Sequence, residues 1–188
     1  MHRYAAAAVV VAALTVPAGA WAHAQMSPPI TITKRSQVFT LAVPTEREGA
    51  TTTKVELTPP KGFSIDSFAP SPGWKRNVQE SGSGENTTVT KVTWSGGHVP
   101  TEEDALFQFL ASTDSSKSYS FKVRQTYSDG SVVDWSGPES SDTPAPVVES
   151  KSSLGGGGSS TLSIVALVVA AAAVVVAAAG LSRGRPLA

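Results

Sequence analysis

The side chains able to do chemistry are few in this chain. It has three histidines and no cysteine. The missing cysteine excludes disulfides, iron–sulfur clusters, thiolate zinc, blue-copper centres and thiol nucleophiles. No Ser/His/Asp spacing, phosphate-binding loop or HExxH motif is present. Between the two apolar ends of the chain stand His23 and His98, too few for zinc held by three protein nitrogens. As an N-terminal residue, His23 would offer its α-amine and imidazole Nδ1 together, a six-membered chelate. Cu(II) gains most from such nitrogen pairs among the divalent first-row metals. With an amine pKa of about 7.7–8.0, copper displaces its proton near neutral pH. The plainer alternative for His23 is a solvated side chain at a frayed terminus. His98, in WSGGHVP, reads as an exposed turn residue, and Glu102, Glu103 and Asp104 as a solvated acidic run opening a strand. Trp135, two residues after Val133 on the same strand face, reads as core packing.

The chemistry at His23 requires a cut just before it, and residues 1–22 have the composition of a secretory signal peptide. Arg3 gives a positive start, AAAAVVVAALTV an apolar stretch, and Pro17 and Gly19 break the helix. Ala20-Trp21-Ala22 has small residues at −3 and −1, which predicts His23 as the mature N-terminus. Ala18-Gly19-Ala20 and Ala22-His23-Ala24 also fit and would leave Trp21 or Gln25 first.

A second apolar stretch, Leu162–Leu181, spans roughly 30 Å as a helix, one bilayer core. Arg183 and Arg185 follow, which predicts a single-pass cell-membrane anchor with residues 182–188 cytoplasmic and the folded part outside. Residues 139–161, rich in Ser, Pro and Gly, are expected to be a flexible tether. All 15 acidic residues lie within 23–151 against 12 Lys and Arg there, so this part is mildly acidic. Nucleic-acid binding, which needs a basic stripe, is therefore not expected.

The elements that must position these side chains are strands. Phe39, Leu41 and Val43 share one face of a run, as do Val55 and Leu57, Val92 and Trp94, and Phe107 and Phe109. The longest alternation carries Tyr119, Phe121, Val123, Gln125 and Tyr127, and Asp129-Gly130 then turns the chain into a return strand with Val133 and Trp135. Eight or nine strands over 23–138, punctuated by turns, predict an all-β sandwich.

Four segments, in order, resemble the YcnI-like family of exported copper-binding proteins: a His directly after a signal peptide, VFTLAVPTE, WSGGHVPTEEDALFQF and RQTYSDGSVVDWSGP. The resemblance covers roughly 23–138. It implies a cupredoxin/immunoglobulin-like β-sandwich and a metal brace with a single histidine, completed by a Glu and a Trp. The His corresponds to His23 and the Trp to Trp135. Counting from Gly96-Gly97 through Pro100 puts the Glu at Glu103; Asp104 stands where the family has Phe, and a one-residue slip would give Glu102.

The resemblance implies a membrane-tethered Cu(II)-binding protein, not an enzyme. Its role would be copper acquisition, storage or delivery, with a copper-transport membrane protein or copper chaperone as partner. Two rivals are a copper-dependent oxidative enzyme, which would need His98 as a second ligand, and a metal-free adhesion or stalk module.

Overall fold

Alternation of apolar and polar side chains makes each main strand two-faced, and burial follows it. In the run 37–44, Phe39, Leu41 and Val43 are buried while Val38 is exposed. The computed structural model describes residues 23–84, 87–154 and 170. The chain divides into two compact units, Met1–Ser152 and Ser153–Ala188. The expected signal peptide and, apart from residue 170, the expected span lie outside the described residues. Among the described residues no helix is long and apolar enough to cross a membrane.

The strands in chain order are β1 (Gln25–Ser27), β2 (Ile30–Ile32), β3 (Gln37–Pro44), β4 (Thr52–Thr58), β5 (Phe63–Phe68), β6 (Lys75–Ser81), β7 (Thr88–Val99), β8 (Asp104–Thr113), β9 (Ser118–Ser120), β10 (Lys122–Tyr127), β11 (Val132–Trp135) and β12 (Val147–Lys151). They form a four-stranded sheet ordered β1-β3-β8-β5, a five-stranded sheet ordered β11-β10-β4-β7-β6, and a small sheet ordered β2-β12-β9. The inner faces of the two larger sheets share one core, with Phe39, Leu41, Phe107 and Phe109 from one and Val55, Leu57, Val92, Trp94 and Val123 from the other. Phe63 meets Phe121 edge to face at 4.7 Å, and Trp94 stacks on Phe107 at 4.2 Å. This is the expected all-β sandwich, and the nine side chains Phe39, Leu41, Val92, Trp94, Phe107, Phe109, Tyr119, Phe121 and Val123 are all buried in it.

Two expectations are corrected. The alternation 119–127 keeps its inward face but changes sheets, because the Phe121 amide bonds Pro146 O between β9 and β10. The tether does not begin at residue 139. Strand β12 runs parallel to β2 and antiparallel to β9, with Val148 fully buried and Ser150 sharing its hydroxyl with Thr113 at 2.7 Å. The alternating Val148 and Ser150 give this short segment a face to bury, despite the polar composition around it.

Two pairings place the ends that matter. The short β1 pairs antiparallel with β3, Gln25 opposite Ala42, so the chain just before β1 lies toward the C-terminal end of β3. Hairpin β10–β11 puts Trp135 opposite Val123, and Gly130 at its turn adopts φ 83°, which glycine takes without steric cost.

Candidate metal centre

His23 is half-buried against Trp135, with ring centroids 6.3 Å apart and planes tilted by 56°. Trp135 is 0% exposed. The two come from opposite ends of the domain sequence: β1 carries one to the end of β3, and the β10–β11 hairpin carries the other inward. The indole Nε1–H donates to Gln125 Oε1 at 2.9 Å. The indole's polar end is thus satisfied inside the protein, and its carbon surface remains to face the imidazole.

The carboxylate on which His23 acts is Glu46, two residues beyond the end of β3. Partial burial pushes the Glu46 carboxyl above its usual 4.5, and the nearby positive charge of His23 pulls it back. Beneath it, the buried Tyr127 phenol is pushed above 10, first by burial; a hydrogen bond from the Glu46 backbone opposes that rise. The next residue, Arg47, clamps this segment. Its Nε donates to Asp129 Oδ2 at 2.6 Å, across to the turn of the β10–β11 hairpin, and its carbonyl accepts from the Thr101 hydroxyl at 2.8 Å. Asp129 is held at about 2, chiefly by hydrogen bonds from the Ser131 side chain and backbone.

Glu103 and Glu102 have exposed side chains. Thr45 N donates to Glu103 O at 2.9 Å and Glu102 N to Thr45 O at 3.0 Å, so the backbone here is tied to the residue before Glu46. Both glutamates line a groove of about 350 Å³ together with Thr45, Glu46, Glu48 and Asp104. The expected Glu103 therefore shares a groove with Glu46, but Glu46 is the carboxylate coupled to His23. Glu46 ends the quoted segment VFTLAVPTE, and its signal was there: the first ionisable side chain after the inward-facing run of β3. His98 lies near the end of β7, exposed, with Nδ1 3.4 Å from the Thr51 hydroxyl. On another flank, His23 opens onto a groove of about 560 Å³ that includes Ser118, Ser120, Glu139 and Glu149.

Among the described residues no cluster of three or more His, Cys, Asp or Glu could hold a metal ion. Side chains alone supply too few donors at His23. With the α-amine of a processed terminus added, His23 would offer two nitrogens, a chelate suited to a borderline divalent ion.

The family described as Domain of unknown function (DUF1775) matches residues 23–149, beginning at His23. A relative named Copper-binding protein CutI, from Bacillus subtilis (strain 168), is 31% identical over 149 residues, spanning 78% of this chain and 71% of the relative. The crystal structure of an uncharacterized protein from Nocardia farcinica, described as having an immunoglobulin-like fold, superposes with a TM-score of 0.54 at 28% identity, over 68% of this chain and 96% of that one. The sandwich is accordingly immunoglobulin-like.

Proposed function

The chain belongs to the DUF1775 family, the YcnI-like proteins, and from that membership we propose that its folded domain binds one Cu(II) ion outside the cell. The carrying observation is the meeting of His23 and Trp135, drawn from opposite ends of the domain sequence, with the charge of His23 felt at the Glu46 carboxyl. The name of the Bacillus relative supports copper as the cargo.

In this reading, signal cleavage after Ala22 frees the amine of His23, and amine and imidazole chelate the ion. A carboxylate offsets cupric charge; Glu46, whose carboxyl feels the charge of His23, is favoured for this over Glu103. Trp135 walls one side against solvent and adds a cation–π contribution. The carboxylate and the indole are what the fold adds to a chelate that a short peptide could also form. The protein is a binder and carrier rather than an enzyme: it acquires or stores copper, or delivers it to a copper-transport membrane protein or a chaperone. A single span at Leu162–Leu181, with Arg183 and Arg185 inside, holds the domain on the extracytoplasmic face and raises its effective concentration at such a partner.

The test is copper loading of the processed protein, with its N-terminus fixed by intact mass. A tetragonal Cu(II) resonance signal and an affinity well above that of a His-Ala peptide are expected, both lost in His23→Ala. Mature protein beginning at Trp21 or Gln25, or affinity no better than the peptide's, would overturn the reading.

A further inference from the structure

Gln125 is polar, 0% exposed, and stands on an inward face that otherwise carries Val123 and Tyr127. Its Nε2 donates to Pro44 O at 2.8 Å and to Thr52 Oγ1 at 2.7 Å, while its Oε1 accepts from Trp135 Nε1 at 2.9 Å. The orientation of this amide is forced. Pro44 O only accepts and an indole N–H only donates, so the amide cannot be turned over without breaking both bonds. The direction continues outward. Thr45 Oγ1 donates to Val99 O at 3.3 Å, so the 2.7 Å bond between the threonine hydroxyls runs from Thr52 to Thr45. One side chain thus joins β10 to the end of β3, beside Thr45 and Glu46, and fixes the indole that faces His23.

We infer that Gln125 is a positioning residue for the centre: it sets the plane of Trp135 and the height of the Glu46 segment by one inter-sheet bridge. This inference rests on the proposed function for its consequence in copper binding, but not for its consequence in the metal-free protein. A side chain serving only to fill the core would give way to an apolar one of similar size at little cost, provided both its partners were replaced too. Here the partners are a backbone carbonyl and the indole of the centre, and the bridge is satisfied at every atom.

The experiment compares processed wild type, Gln125→Met and Thr113→Val. Thr113 is equally buried but lies at the opposite end of β8 from the centre. In metal-free protein, Gln125→Met should move the Trp135 indole N–H resonance and speed its exchange with solvent, leaving those of Trp74 and Trp94 in place. In copper-loaded protein it should weaken binding by about 10–100-fold, as loss of a supporting contact does, and alter the Cu(II) resonance parameters. Thr113→Val should lower the melting temperature and change neither signal. An unmoved Trp135 resonance in Gln125→Met overturns the inference, whatever happens to stability; so does a matching change in Thr113→Val. If Gln125→Met does not fold, Thr52→Val removes one end of the bridge and must shift the same resonance in part; no shift overturns the inference. Wild type that binds copper no better than a His-Ala peptide refutes the proposed function alone, since the metal-free indole signal still decides the role of Gln125.

Discussion

At the scale of single residues the centre is a division of labour. In the proposed copper site His23 would supply nitrogen, Glu46 negative charge and Trp135 a dry wall. Glu46→Gln should weaken copper binding on the order of 10–100-fold, because a carboxylate supporting a metal is worth about that much. Glu103→Gln should have the smaller effect, both read by chelator competition. The pH dependence has a definite sign. The Glu46 carboxyl is raised above 4.5, so the folded domain holds this proton more tightly than the unfolded chain does. Its contribution favours the fold in acid and is lost as pH rises from 4.5 through the raised value. Copper needs the opposite form, so affinity should fall as pH drops through that window, and Glu46→Gln should flatten the fall. The pairing of His23 with Trp135 was legible only through the family resemblance, since the hairpin pattern alone makes Trp135 a core residue. Glu46 was harder to find. Five carboxylates share the same groove, and only the folded arrangement brings the charge of His23 to bear on Glu46 among them.

At the scale of elements, the strands are held by aromatic packing that the period-2 pattern announces. Phe39 is fully buried between Phe63 and Phe109, and Phe39→Ala should cost about 3–5 kcal/mol in urea unfolding. The short strands β1 and β12, of three and five residues, were less legible, since so short a run carries little periodicity. β1 looks like polar chain, and β12 sits in a segment whose composition argues for disorder. Their strand character comes from partners already in place: β3 for β1, and β2 with β9 for β12. Ending the domain at residue 138 should therefore destabilise it strongly, while ending it at residue 152 should leave the melting temperature near that of the longer chain.

At the scale of the whole molecule, the folded head 23–152 is the proposed copper-binding part, and the proposed anchor would keep it near the membrane. External protease on intact cells should release the head by cleavage between residue 152 and the span; a head protected from protease until the cells are opened would invert the topology. The central claim is that copper is held by the free amine of His23 as well as by its ring. The direct measurement is the Cu(II) dissociation constant of the head beginning at His23 beside that of the same head with one alanine added before His23. The addition keeps every side chain and the fold but moves the amine out of the chelate. Loss of tight binding in the extended protein, at unchanged melting temperature, is the predicted result; equal affinity in the two would contradict the account.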